Sequence, residues 1–457
     1  MSDDYSATHG LMMFLLATNN GAAEGTGIRL NVDQAHNLLG KHISPVLVNY
    51  TLGTQINLFG SYPDESDVVP SAIFTAVFAI LGILHLIIFC INFSRGHYFW
   101  LSMGWFGYCI TRVVGWALRI AWARNITVTQ MGIANEVFLI IPSIILVSIN
   151  LILAQRLFTW RHPVGGSRKL FWSIMIGLYI VVLGVIAMTI VASAIPYLYY
   201  LSEKTYKSYQ KVVQASAILI ILYTLTAVSL IALSYFFKPT RKDENLYTYQ
   251  PWWIESFHPF YFVRPHAAQE AEETFMKRNR NHRHAIRVIA ATHHHYKIVE
   301  GLSNERGNLK HNTSLLIICL STLFLFVGSV LRAVAVFQAK FNRDEGPVCD
   351  PVAMYIMWGL LETVINLSYI IGRVDLRFYR PDVLPAAVRA IITAEQTTHP
   401  SVMPSPSEQA TLDGDNMSLD QSEFDFSDSE SLPPNYYENK HEKQEVVTDD
   451  NESEFYF

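Results

Sequence analysis

Six ionisable side chains, His85, Arg112, Arg119, Glu136, Arg332 and Glu362, stand inside long runs of apolar residues. A charge at the centre of a bilayer costs about 2.5–3.5 kcal/mol on insertion scales, so each of these residues needs a partner or a task. If the runs are helices of alternating direction, depth can be counted at about 1.5 Å per residue. Arg112 then lies just past the middle of the second run and Arg119 near its far end. Glu136 comes early in the third run, Arg332 late in the sixth, and Glu362 in the half of the seventh nearest the same surface. Asn135 and Asn366 are at a similar level. Arg112, Glu136, Arg332 and Glu362 are therefore expected to form one polar cluster in the outer half of a helix bundle. Such a cluster reads in two ways: as a site for a substrate headgroup, an anion or a proton, or as an interhelical salt-bridge network that fixes packing, because mutual pairing lowers the burial cost. Pro142 removes a backbone donor from the third run and is expected to bend it beside the cluster. His85 faces no evident partner and reads as a packing residue.

Other constellations carry less chemistry. His293, His294 and His295, with His282 and His284 nearby, invite a metal, but three adjacent side chains cannot all face one ion from one helix. No Cys or acid pair accompanies them at zinc spacing, so no metal site is expected. The glycines of Gly104 to Gly107 lie inside an apolar run and form no phosphate loop. No Ser/His/Asp or paired-aspartate arrangement stands in the runs. Neither catalysis, nor a cofactor, nor a nucleic-acid partner is expected. Near the C-terminus, Pro433, Pro434 and Tyr436 make a Pro-Pro-x-Tyr peptide. Its polyproline II conformation suits the aromatic groove of a WW domain, which points to a WW-containing ubiquitin ligase as a partner. Ser427 to Glu430 is an acid-directed phosphorylation pattern.

The elements that must position these residues follow from composition. Hydrophobic residues make up 51% and charged residues 16%, against about 25% charged in a soluble domain. The hydrocarbon layer is about 30 Å thick and needs about 20 apolar residues to cross it as a helix. Seven segments qualify: 70–93, 99–123, 131–156, 171–195, 212–236, 313–338 and 353–373. Lipid offers no partner to a sheet edge, so all seven are read as helices. The second, with Arg112 and Arg119, is the least clear. The fold class is thus an all-α polytopic membrane protein, with a seven-helix domain over 70–381. Lys and Arg at the span ends number thirteen on one side and six on the other, which places the N-terminus outside and the C-terminus in the cytoplasm. In that topology 1–69 is an uncleaved outer tail, and Asn49 and Asn125, each followed by x-Thr, are candidate N-glycosylation sites. The loop 237–312 is cytoplasmic. Its aromatic stretch 251–265 either lies on the bilayer surface or packs under the bundle, and residues 266–300 form a basic helix that attracts anionic lipid or is simply solvated. The segment 382–457 is a disordered acidic tail; from residue 401 it holds fifteen Asp and Glu against two Lys. The four cysteines, Cys90, Cys109, Cys319 and Cys349, show no pair on one aqueous side, so no disulfide is expected.

Three stretches in order, 106–123, 150–158 and 362–381, resemble a fungal family of uncharacterised seven-span membrane proteins. More distantly the chain resembles the fungal lipid-translocating exporter family associated with sterol-analogue resistance. Gly107, Tyr108 and Arg112 are similar to that family's Gly-Tyr-x-x-x-Arg element, Pro142 to its third-span proline and Arg332 to its sixth-span arginine. The chain departs from it after Arg332, where apolar residues replace an acid, and at the last helix, which lacks a His-Pro ending. The resemblance implies a fungal source and a non-enzymatic role in handling or translocating membrane lipids or amphipathic compounds, in the plasma membrane or alternatively in a vacuolar or endosomal one. Membrane lipids are then the expected partners. A seven-helix receptor signalling through its loop and tail is the main alternative, although no Asp-Arg-Tyr or Asn-Pro-x-x-Tyr motif closes the third or seventh span. A structural membrane protein without a ligand is the other.

Overall fold

A computed structural model describes residues 25, 27, 48–49, 52–53, 55–162, 169–199, 201–237, 254, 256–267, 312–344 and 346–379. Among these, regular structure is helical, with only isolated bridges such as Ile56 to Phe341. The main helices are α1 (Val68–Ser94), α2 (Leu101–Arg124), α3 (Thr129–Arg161), α4 (Lys169–Leu198), α5 (Glu203–Phe236), α6 (Asn312–Gln338) and α7 (Pro351–Ile371), with a final turn α8 (Val374–Arg377). All but α2 of the seven main helices are long and apolar enough to cross a membrane. The WW-ligand residues Pro433, Pro434 and Tyr436, the basic stretch 268–300 and the histidine run lie outside the described residues.

Helix ends follow local chemistry more than hydropathy. The apolar run of α5 begins near residue 212, yet the helix starts at Glu203, because the Ser202 hydroxyl accepts from the Thr205 amide at 3.4 Å and caps it. Glu203 and Lys207 pair one turn apart on its exposed face. Asp350 caps α7 by accepting from the Val352 amide at 2.8 Å, with Pro351 at the first helical position. A short 3₁₀ turn, Glu65–Asp67, leads into α1; Asp64 accepts from Ser66 and Asp67 answers by accepting from the Asp64 amide, a closed capping box.

The least apolar helix carries a buried stripe along its length. On α2 the residues Trp105, Tyr108, Cys109, Arg112, Gly115, Trp116, Arg119 and Trp122 recur at helical spacing and are all buried. This stripe packs α2 between α1 and α3. In contrast α1 and α4 present broad apolar faces outward, including Ile73, Ile80, Ile180 and Leu183. That inversion, polar inside and apolar outside, suits a hydrocarbon solvent. Helix α3 is central and touches α2, α4, α5 and α6; α4 is peripheral, held by α5 and α3. Close approach uses small residues. A methyl on Gly115 would stand 2.8 Å from the Phe138 carbonyl oxygen of α3, and one on Gly359 would stand 2.4 Å from the Phe74 ring of α1.

At the end where α1 leaves and α2 begins, part of the aromatic loop closes the bundle. Ile254 and Val263 are buried against Leu376 of α8. Arg95 donates to the Val263 carbonyl at 3.1 Å, and Arg373 donates to the carbonyls of Pro259, at 3.0 Å, and Tyr261. The described part of 251–265 therefore follows the second of the two expected placements, under the helices, although Phe260 remains exposed. At the opposite end, the Asn57 amide donates to the Lys340 carbonyl at 2.8 Å, and Ser61 reaches the Cys349 carbonyl at 3.2 Å, tying the segment before α1 to the α6–α7 connection.

Replacing Gly115 with leucine is expected to force α2 from α3 and to destabilise the detergent-solubilised protein by about 1–3 kcal/mol, the usual cost of overpacking. The same change at Gly107, where nothing lies within 4 Å, should leave the thermal midpoint unchanged. Equal effects at the two positions would contradict this packing.

Candidate functional site: a layered charged interior

Three helices converge on one carboxylate. Arg112 of α2 grips Glu362 of α7 with two parallel bonds, Nε to Oε2 at 2.7 Å and Nη2 to Oε1 at 2.6 Å. Ser143 of α3 accepts from Arg112 Nη2 at 2.7 Å and donates to Glu362 Oε1 at 2.8 Å. The Tyr108 hydroxyl, one turn before Arg112, donates to Oε2. Arg112 Nη1 donates to the Leu139 carbonyl at 2.7 Å, and its guanidinium lies 5.4 Å from the Trp358 ring centroid. Both charged side chains are almost wholly buried, 0% and 2% exposed. A planar guanidinium against a carboxylate is the strongest neutralising geometry available to side chains, and every further lone pair here has a donor.

Two backbone irregularities serve this clamp. Pro142 has no amide hydrogen, so the carbonyl one turn earlier, that of Phe138, loses its helical donor. Gly115 packs beside that carbonyl, and Arg112 takes the next one. Helix α7 is wound as a π-helix over Tyr355–Leu361, directly before Glu362. Such turns occur where a side chain is re-aimed, often at functional sites.

A second pair lies two turns along α2. Arg119 meets Asp67 at 3.1 Å and donates to the Gly60 carbonyl at 2.5 Å. The Tyr355 hydroxyl donates to Asp67 Oδ1 at 2.5 Å and lies 2.8 Å from Ser71 Oγ. In the same layer, Glu136 of α3 and Arg332 of α6 remain apart. Arg332 is 8% exposed, and among the described residues no hydrogen bond or ion pair reaches it. One carboxylate oxygen of Glu136, Oε1, is buried without a partner. Deeper in the bundle a polar column continues: Asn150 donates to Ser321 at 2.8 Å and accepts from the Tyr369 hydroxyl at 2.5 Å.

Of the four residues expected in one cluster, the structure joins Arg112 to Glu362 and sets Glu136 and Arg332 in a separate layer nearer the helix ends. Arg112 and Arg119 are seven residues apart on one face, about 10 Å in height, so each takes its own acid. Asn135 donates to the Gly115 carbonyl at 2.8 Å, and Asn366 to the Glu362 carbonyl at 2.7 Å. His85 is buried and stacks on Trp105 with centroids 5.7 Å apart. Asn49 and Asn125 are both exposed. The four cysteines are free. Two participants went unmarked in the sequence, Ser143 and Asp67, while Tyr108 stood out only through the resemblance of Gly107, Tyr108 and Arg112 to a Gly-Tyr-x-x-x-Arg element. Asp67 had a signal, being the last acid before the first apolar run and level with an arginine near the end of the next.

A third charged group lies beyond the last apolar helix. Arg373, with φ +47°, brings Nη2 to Asp375 Oδ2 at 2.7 Å and Nε to Oδ1 at 2.9 Å. The Asn92 amide donates to Asp375 at 2.7 Å, and His97 Nε2 lies 3.1 Å from its main-chain carbonyl. Burial pushes the Asp375 carboxyl up, but Arg373, Asn92 and His97 together outweigh it and hold the group below its ordinary value. Burial also lowers His97, only partly opposed by Asp375.

Fold and interior together define a multi-pass helical membrane protein with a paired-charge core. Residues 163–379 match a family model described as a protein of unknown function (DUF3112). No curated protein and no solved structure matches. The matched region runs from α4 to α8 and so carries Arg332, Glu362 and Asp375, while Arg112, Glu136 and Asp67 precede it.

Two outcomes follow from these pairs. Arg112→Met should cost about 3–5 kcal/mol because it strands a buried carboxylate, whereas Arg112→Met with Glu362→Leu should recover most of that loss. Thermal unfolding of the single and double variants checks this; additive losses would refute the coupling. For Asp375 the depressed native value means its contribution is present above about pH 4, the unfolded value, and is lost as pH falls through the native one. The stability difference between the wild type and Asp375→Asn should therefore be largest near neutrality and shrink below about pH 4, as read from unfolding midpoints across pH.

Proposed function

We propose that this chain crosses a membrane seven times, with its N-terminus outside, and handles or translocates membrane lipids or amphipathic compounds without catalysing a reaction. Helix α2 is the seventh span: it has the length, and Asp67 and Glu362 neutralise the two arginines that keep its hydropathy low. The excess of Lys and Arg at the opposite span ends sets the orientation. The likeness to lipid-translocating exporters points the same way.

The observation that carries the reading is an apolar groove beside a polar interior. A cavity of about 150 Å³ opens between α3, α4 and α5, lined by Ile144, Leu178, Val182, Val185, Leu219 and Ile220 among others. Its walls suit an acyl chain. Ile144 lies about 12 Å along α3 from Glu136, eight residues at the helical rise, so a chain in the groove and a headgroup at the charged layer fit one amphiphile.

The test is transbilayer movement of a fluorescent phospholipid in proteoliposomes, followed by dithionite quenching. The full chain should speed equilibration several-fold over protein-free liposomes, and Val182→Trp, which fills the groove, should abolish most of that gain. No acceleration by the wild type would remove the proposal.

A further inference from the structure

An Asn-x-Ser/Thr triplet is the acceptor of an N-linked glycan. The chain holds seven of them, beginning at Asn49, Asn92, Asn125, Asn312, Asn366, Asn416 and Asn451. Transfer needs an accessible side-chain amide, an acceptor strand that can be drawn clear of the bilayer, and a place on the lumenal or outer side. Asn92 is buried, and its Nδ2 donates to Asp375 at 2.7 Å. Asn366 is buried inside α7, with Nδ2 donating to the Glu362 carbonyl at 2.7 Å. Asn312 opens α6, and the serine of its triplet, Ser314, is buried in that helix. In the orientation proposed above, this end of α6 and everything that follows α7 are cytoplasmic. Asn312, Asn416 and Asn451 are thereby kept from a lumenal transferase.

Two triplets share the outer side, and geometry separates them. Asn125 ends α2, and its backbone amide donates to the carbonyls of Ala121 at 3.3 Å and Trp122 at 3.1 Å. Residues 125–128 alone link α2 to α3. Within that turn Thr127 Oγ1 donates to Asn125 Oδ1 at 2.6 Å, and the Val128 amide donates to the Asn125 carbonyl at 3.3 Å. Trp122 Nε1 donates to the Ile126 carbonyl at 3.1 Å. A turn this short between two spanning helices cannot be drawn out as a strand without unwinding their ends. Asn49 is exposed and precedes the point at which the chain is fastened to the α6–α7 connection. That fastening is made by the Gln55 carbonyl, which accepts from the Asn342 amide at 2.9 Å, and by the Asn57 amide described above. We infer that Asn49 carries an N-linked glycan and that Asn125 does not. In the transfer, Asn49 Nδ2 attacks the anomeric carbon of a lipid-pyrophosphate-linked oligosaccharide. A C–N bond forms, the C–O bond to phosphate breaks, the lipid pyrophosphate leaves with the electron pair, and the amide gives up one proton. The inference rests on the outward N-terminus proposed above.

The experiment is synthesis of the full chain in a cell-free system supplied with endoplasmic-reticulum microsomes, read by gel mobility before and after endoglycosidase H. The wild type should show a single glycan shift that the enzyme removes. Asn49→Gln and Thr51→Ala should each abolish it. Thr51→Ser, which keeps the triplet, and Asn125→Gln should both retain it. A shift that survives Asn49→Gln and is lost in Asn125→Gln would overturn the inference while leaving the orientation in place, since both asparagines share one side. A shift lost only in Asn312→Gln, Asn416→Gln or Asn451→Gln would overturn the inference and the orientation together. An unshifted wild type would also overturn it. In that case Asp33→Thr, which completes a triplet at Asn31 in the same tail, reports on the orientation by itself: a shift in this variant keeps the N-terminus outside and removes only the glycan at Asn49. Lipid movement in the proteoliposome assay is a separate readout, and its absence would leave a shift lost in Asn49→Gln as evidence for the glycan.

Discussion

The bond between Arg112 and Glu362 sets the conditions for the rest of the bundle. An arginine at mid-depth is tolerable only if its charge is met by an acid, its remaining donors by carbonyls or hydroxyls, and its flat faces by aromatic rings. Each requirement recruits an element: Glu362 fixes α7, Leu139 and Ser143 fix α3, and Tyr108 and Trp358 complete the enclosure. The close contact of α2 with α3, the proline in α3 and the π-turn in α7 all lie within two turns of this pair. A clamp of this kind contributes uniqueness of packing as much as stability, because only one rotation of each helix satisfies it.

From that centre the molecule divides into a tightly specified half and a looser one. Helices α1, α2, α7 and α8 and the turn before α1 are joined by side-chain bonds at three levels: Asp67 with Arg119, Arg112 with Glu362, and Asn92 with Asp375. Helix α4 meets its neighbours mainly through aliphatic contacts, with Tyr179 to Gln155 at 3.3 Å as one of its few polar links. It also borders the apolar groove. The charge pairs and the apolar groove are thus kept in different parts of one bundle.

How far the sequence could be read depended on which coordinate a residue's neighbours supply. Height along a helix follows from counting residues, and the apolar segments at 70–93 and 313–338 begin and end within about two residues of α1 and α6. Height also put Arg112 and Glu362 in one expected cluster, together with Glu136 and Arg332. Rotation about the helix axis does not follow from counting, because it is decided by how the helices pack. For that reason it could not be told in advance that Glu136 and Arg332, in the layer of Arg119, would stay apart while Arg112 met Glu362. Asp67 escaped notice because it stands just outside an apolar run. The start of α5 escaped because nine residues, seven of them polar, extend it, and capping by Ser202 leaves no trace in hydropathy.

The two arginines of α2 also impose an order on biogenesis. Arg119 finds Asp67 a mere 52 positions earlier in the chain, so that bond is available once the first hairpin has left the ribosome. Arg112 must wait for Glu362, 250 positions later. At about 5–20 residues per second that wait is on the order of 10–50 s. During it the guanidinium is without its acid and has to keep its charge solvated by other means. Neutralisation of Arg112 is thereby tied to the synthesis of α7, a delay written into the protein by the sequence distance between two side chains.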